Sequence, residues 1–194
     1  MRVISGSARG TPLKTIEGEN TRPTTDKVKE AMFNVIQFDI AGARVLDAFA
    51  GSGALGIEAL SRGASWAVFI EKNRAAAGMI KKNLIAAKLE KNAQIVTGDC
   101  YKYIKTYKGE PFDIVFLDPP YDREEVKNVF NELCTCNMLS DTAIILCETR
   151  REALPDRVGM FSRLKKYVYG NINVTVYTAD KAEKTVSDLE ESLQ

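Results

Sequence analysis

Three glycines at 51, 53 and 56, acids at 47, 71, 99 and 118, and the run Asp118-Pro119-Pro120-Tyr121 are the residues whose types and spacing could do chemistry. The stretch DAFAGSGALG (47–56) satisfies G-x-G-x-x-G, and Glu71 lies 20 residues beyond Gly51. Glycines there let main chain approach a ligand, and an acid at that distance can bind ribose hydroxyls. Taken alone, the pattern favours an NAD-type site.

One detail favours a different nucleotide. In dinucleotide folds the strand runs straight into the first glycine, so a pyrophosphate meets a helix N-terminus. Here the apolar run ends at Asp47, and Ala48-Phe49-Ala50 intervene before Gly51. A carboxylate at that point repels a pyrophosphate and suits the ammonium and sulfonium of S-adenosylmethionine. Glu71 can accept from both ribose hydroxyls, since an ionised carboxylate is acceptor-only. Asp99 could accept from the adenine amino group, with the Cys100 N–H facing a ring nitrogen. Any one of these acids, taken singly, reads equally well as a helix N-cap or a loop acid. Their recurrence at successive strand ends, where open α/β sheets bind ligands, points to a site.

FLDPPY (116–121) ends an apolar run in a carboxylate, two residues without N–H groups, and an aromatic ring. Prolines stop the strand and stiffen the turn after it. A nucleobase amino group has its lone pair delocalised into the ring and is a poor nucleophile. Asp118 and the Pro119 carbonyl could each accept one of its N–H groups and aim the lone pair at a sulfonium methyl. Pro120 would keep that carbonyl fixed, and Tyr121 could stack on the base. This is catalysis by orientation and charge stabilisation, and it needs no imidazole. That matters because the chain contains no histidine.

The elements that must carry these residues can be read from hydrophobic pattern. Apolar runs at 43–49, 65–71, 93–98, 112–118 and 142–148 alternate with helical segments at 54–62, 73–89, about 99–107 and 123–138. Strands apolar on both faces imply a parallel sheet covered on each side by helices. RLKKYVYG and INVTVYTA, joined at Gly170-Asn171, read as an antiparallel hairpin, making seven strands in all. Ahead of these, 2–6 and 12–16 form a small hairpin. Thr24, Thr25 or Asp26 can cap a helix whose apolar face is Val28, Ala31, Met32, Val35 and Ile36. The expected division is a hairpin extension at 1–20, one α/β domain at 21–179, and a polar acidic tail at 180–194.

Bulk properties narrow the class. A chain of 194 residues, 45% hydrophobic and 27% charged, is an ordinary globular composition. The start, MRVISGSARG, lacks the apolar core of a signal peptide, and no run reaches the roughly 18–20 apolar residues of a membrane span. A cytoplasmic protein without membrane contact is expected. Cys100, Cys134, Cys136 and Cys147 are scattered, so reduced thiols and no metal site are expected. A net charge of +1 hides local basic patches at Arg2, Arg9 and Lys14 and around Arg163–Lys166, compatible with nucleic acid.

VLDAFAGSGALGIEALSRGA, IE at 70–71, GD at 98–99 and FDIVFLDPPY together resemble the class I methyltransferases that modify exocyclic amino groups. RVISGSARG and RPTTDKVKEAMFNVI narrow the likeness to the RsmD family, which methylates guanine N2 in 16S (small-subunit) ribosomal RNA. The resemblance runs from about residue 2 to 178. It implies an α/β Rossmann-like fold with a seven-stranded, mostly parallel sheet and a reversed final strand. It also implies S-adenosylmethionine bound by Gly51, Gly53, Glu71 and Asp99, and catalysis centred on Asp118–Tyr121. Arg22-Pro23-Thr24 should then border the active site and the hairpin with Arg9 should touch RNA. A monomer acting on ribosomal RNA or on 30S particles is expected. Two rivals remain at this level: a DNA adenine-N6 methyltransferase, which shares DPPY, and an NAD-dependent oxidoreductase, carried by G-x-G-x-x-G and Glu71.

Overall fold

A computed structural model describes residues 1–15, 26–118, 123–150 and 154–180. The helices are α1 (Asp26–Val35), α2 (Ala54–Ser61), α3 (Arg74–Ala87), α4 (Cys100–Thr106) and α5 (Arg123–Thr135). The strands are β1 (Arg44–Asp47), β2 (Trp66–Glu71), β3 (Ala93–Thr97), β4 (Phe112–Leu117), β5 (Leu139–Arg150), β6 (Arg157–Val158), β7 (Phe161–Tyr169) and β8 (Ile172–Ala179). They form one sheet in the order β3-β2-β1-β4-β5-β8-β7-β6. From β3 to β5 every pairing is parallel, and β8 inserts antiparallel between β5 and β7.

Side-chain alternation explains the two helical layers. Val45, Ile114, Phe116 and Leu146 face one core, shared with Phe33 of α1, Ile57 of α2 and Ile80 of α3. Their neighbours Leu46, Val115, Leu117 and Cys147 face the other, shared with Ile104 of α4 and Phe130 of α5. Successive side chains of a strand point to opposite faces, so apolar runs of this kind need cover on both sides.

The structure holds the expected order and adds one strand. β6 pairs antiparallel with the first residues of β7, across a turn in which Gly159 has φ 57°. Two residues carry no measurable period, and for that reason the seven-strand reading passes over them. β5 is also longer than the 142–148 run: Leu139 pairs with Phe112 across an irregularity at one end, and Thr149 and Arg150 continue the ladder with β8 at the other. The β7–β8 hairpin pairs Tyr169 with Ile172 around Gly170-Asn171, with Gly170 at φ 59°.

The N-terminal hairpin is closed by bonds from Val3 N to Thr11 O (3.0 Å), Gly10 N to Val3 O (2.9 Å) and Leu13 N to Met1 O (3.0 Å). Its Val3, Ala8 and Leu13 are buried in the first core. Glu58 of α2, fully buried, accepts from Ile4 N (2.8 Å), Ser5 N (2.9 Å), Arg62 Nε (2.8 Å) and Lys29 Nζ (3.2 Å). Lys29 is buried too and donates to Arg2 O (2.6 Å). The ion pair is tolerable inside the protein because each charge has further hydrogen-bond partners. At the other end of α2, Ser61 accepts from Ala8 N (2.9 Å) and donates to Ser5 O (2.6 Å). The hairpin is thereby clasped along a helix that begins at the glycine loop. Among the described residues no helix is long and apolar enough to cross a membrane.

Candidate active site

The sheet reverses its order of winding between β1 and β4, and the carboxyl edge at that reversal is where open α/β sheets bind ligands. Asp47 ends β1 in register with Phe69 of β2 and Phe116 of β4. Bonds from Ala48 N to Phe116 O (3.1 Å) and Ala50 N to Ile70 O (2.9 Å) then guide the chain between its neighbours into the glycine loop. Glu71 ends β2, Asp99 follows β3, and Asp118, half-buried, directly follows β4. Four acids therefore lie along one edge.

The three glycines do different work. Gly51 has φ 52°, and a Cβ built there meets nothing within 4 Å, so main chain lies open to a ligand at this point. Gly53 has φ 78° and caps α2; a Cβ would press Ile80 at 3.1 Å. Gly56 lets α2 lie against β2, for a Cβ there would fall 2.3 Å from Phe69 Cε1. Only the first faces open space.

The acids are held by main-chain donors. Glu71 accepts from Gly51 N through Oε2 (2.9 Å) and from Asn73 N through Oε1 (2.8 Å). Its carboxylate thus lies against the glycine loop, half-exposed. Asn73 in turn caps α3, accepting from Ala75 N (2.8 Å) and Ala76 N (3.2 Å). Asp99 caps α4 by accepting from Lys102 N (2.9 Å) and is otherwise exposed, with Cys100 buried as the first helical residue. The N-cap reading of Asp99 is realised; an exposed cap is still free in position to meet a ligand edge.

Asp47, read from the sequence as facing a cation, is engaged with the protein's own main chain. It is only 2% exposed, and Oδ2 accepts from Gly56 N (3.0 Å). Burial pushes its carboxyl up to about 7, the Gly56 hydrogen bond opposes that, and the Glu71 charge adds to it. The side chain braces the loop onto α2 rather than lining the opening.

Pro119, Pro120 and Tyr121 of the DPPY run, and Arg22 of the RPT segment, lie outside the described residues. Of the basic residues read as RNA contacts, Arg9 and Lys14 are exposed, and Arg2 is exposed beside Asp26 at 3.8 Å. Arg2 and Arg9 border a surface depression of about 280 Å³ together with Asp26 and Glu30. The cluster around Arg163 lies on β7, beyond β8; Arg163 pairs with Asp156, and Lys165 stands 5.1 Å over the Tyr167 ring. Cys100 and Cys147 are buried and all four cysteines are free thiols.

One residue that the glycine fingerprint does not include also serves the site. Asn83 of α3, 1% exposed, donates through Nδ2 to Ser52 O in the glycine loop (2.9 Å) and to Lys14 O (2.9 Å). Through Oδ1 it accepts from Lys14 N (2.9 Å). The available signal was a polar residue on the helix face that also carries Ile80, Leu84 and Ala87.

A family model described as "Conserved hypothetical protein 95" matches residues 1–178. The chain is 37% identical over 189 residues to the ribosomal RNA small subunit methyltransferase D of Escherichia coli K12, covering 97% of this chain and 94% of that protein. It is 42% identical over 180 residues to YlbH of Bacillus subtilis, covering 91% and 98%. Among solved structures, YhhF from Escherichia coli superposes with a TM-score of 0.84 at 38% identity, covering 93% of this chain and 98% of that one. On these likenesses, which span both the hairpin and the α/β sheet, the chain belongs to the RsmD family, that of the small-subunit ribosomal RNA methyltransferase D.

Proposed function

We propose that this protein transfers a methyl group from S-adenosylmethionine to the exocyclic N2 amino group of a guanine in 16S ribosomal RNA. The observation that carries the reading is the single carboxyl edge on which the open Gly51 main chain, the Glu71 carboxylate and Asp118 converge. The relatives named for small-subunit ribosomal RNA methylation supply the substrate class.

The residues present suit the cofactor. Gly51 offers main chain without steric cover, and Glu71 offers an acceptor-only carboxylate beside it, the pairing that ribose hydroxyls require. Gly53 and the Asp47–Gly56 bond fix the loop that would hold the amino-acid end, and Asp99 with the Cys100 N–H would meet the adenine. When bound, S-adenosylmethionine supplies an electrophilic methyl group on a sulfonium.

The chain's own part is to ready the amino nitrogen. Asp118 and the Pro119 carbonyl each accept one N–H, which turns the lone pair out of conjugation and offsets the positive charge that develops on nitrogen. Pro120 would keep that carbonyl fixed and Tyr121 would stack on the base, which RNA presents unstacked from a loop or flipped. Arg2, Arg9, Lys14 and Arg22 grip the surrounding phosphates, so binding weakens with salt.

The test is methyl transfer from labelled cofactor onto naked 16S ribosomal RNA and unmodified 30S particles, followed by nucleoside digestion. Label is expected in N2-methylguanosine; label in N6-methyladenosine overturns the substrate assignment. Asp118→Ala should abolish transfer while leaving cofactor affinity within a few-fold. Near-normal turnover in that variant would remove Asp118 from the chemistry.

A further inference from the structure

The buried Asn83 amide joins two parts of the molecule that the proposed function uses separately. Ser52 stands between the two glycines of the cofactor loop, and Lys14 lies at the end of the N-terminal hairpin. One side chain, 1% exposed, holds Ser52 O, Lys14 O and Lys14 N at 2.9 Å each. All three partners are main-chain groups. A shift of Lys14 therefore reaches the loop as a shift of backbone, whatever side chain stands at either position. It is the Asn83 amide that is buried, so the side chain that loses these partners is left unpaired away from water, and that cost ties it to both segments.

The surroundings make this contact suited to transmission. The loop turns through Gly51 and Gly53, both at positive φ, and Ser52 between them is tied to Asn83 through its carbonyl. The first arm of the hairpin is fixed on α2 by Glu58 and Ser61, whereas Lys14, on the second arm, is held by Asn83. At the start of α3, its cap Asn73 presents a main-chain N–H to Glu71. The same helix thus touches the ribose-side carboxylate at one end and the loop carbonyl ten residues later, about 15 Å along its axis.

We propose that Asn83 is a positioning residue that couples RNA engagement by the N-terminal hairpin to cofactor binding at the glycine loop. This rests on the methyltransferase reading above. Each ligand then raises the affinity for the other by the same factor, as linkage requires.

The test measures the dissociation constant of S-adenosylhomocysteine by calorimetry, with and without saturating naked 16S ribosomal RNA, for the wild type, Asn83→Ala and Asn83→Asp. Asn83→Asp keeps the acceptor for Lys14 N and loses both donors. In the wild type RNA should tighten S-adenosylhomocysteine binding at least about fivefold. In both variants the enhancement should fall below about twofold. A second measurement needs no variant: hydrogen exchange of the Lys14 amide in the wild type should slow at least about fivefold when S-adenosylhomocysteine is added. Absence of coupling in the wild type, full coupling in Asn83→Ala, or a Lys14 amide indifferent to S-adenosylhomocysteine each overturns the proposal. Failure of the wild type to bind S-adenosylhomocysteine at all overturns the cofactor assignment instead.

Discussion

Replacing Asp47 with asparagine should change how stability depends on pH, in a direction the burial of the carboxyl dictates. Its pKa rises from an ordinary 3.8 to about 7, chiefly because the group is removed from water. Between those values the native protein holds a proton that the unfolded chain has released. Stability therefore falls as pH rises through that window, by about 1.4 kcal/mol per pH unit, and levels off above pH 7. From pH 5 to pH 8 the loss attributable to this one group is about 2–3 kcal/mol. Asparagine retains a carbonyl oxygen for Gly56 N and carries no titrating proton. Its buried amide hydrogens impose a penalty, but the same one at both pH values. The quantity to measure is the stability difference between Asp47→Asn and wild type, by urea denaturation at pH 5 and at pH 8. The variant should gain about 2–3 kcal/mol relative to wild type on going to pH 8, or about 5–10 °C in melting temperature for a domain of this size. A difference unchanged between the two pH values, within about 0.5 kcal/mol, refutes the claim that Asp47 is held protonated near neutrality.

Three further perturbations are decided by the same geometry. Gly56→Ala drives a methyl to within 2.3 Å of the buried Phe69 ring and should cost about 1–3 kcal/mol in urea unfolding; a cost near zero would mean that α2 does not lie against β2 as described. Glu58→Ala leaves Lys29 charged and buried without its carboxylate, and should cost about 3–5 kcal/mol. The same variant should open the N-terminal hairpin to protease; an intact, resistant hairpin counts against the clasp. Glu71→Ala should weaken S-adenosylmethionine binding at least about tenfold by calorimetry, since charge-assisted bonds contribute about 1.5–3 kcal/mol each. Unaltered affinity would remove Glu71 from the ribose site.

The parallel core was legible because its strands are apolar on both faces, as Val45-Leu46 and Ile114–Leu117 show, and strands buried on both sides leave no other solution. The glycine loop was legible because G-x-G-x-x-G constrains backbone directly, and the glycine positions translate into one open approach and two close packings. What remained hidden depends on contacts distant in sequence. Glu58 lies in the middle of ALGIEALS, where a helical pattern suggests surface, and only the folded hairpin 53 or 54 residues earlier gives its carboxylate a reason to be buried. Asn83 is a single polar residue on an apolar face, equally readable as a packing imperfection until Lys14 and Ser52 are brought to it. Asp47 was legible as a strand-end acid, but its bond to Gly56 N was not. Spacing along the chain cannot tell whether a carboxylate turns outward to a ligand or inward to the helix amide nine residues on.

The insertion of β8 between β5 and β7 has a consequence for vectorial synthesis. While a ribosome is still translating residues before 172, the outer edge of β5 has no strand to pair with, because its partner is the last strand of the sheet. β7 is complete by then but has nowhere to dock, since its own ladder also runs through β8. The nascent chain therefore carries an open sheet edge beside a strand bearing exposed Leu164 and Val168 until β8 has been made, the form most exposed to aggregation. Chains halted short of β8 should be sequestered by chaperones or degraded, whereas interruption beyond residue 179 leaves the sheet closed.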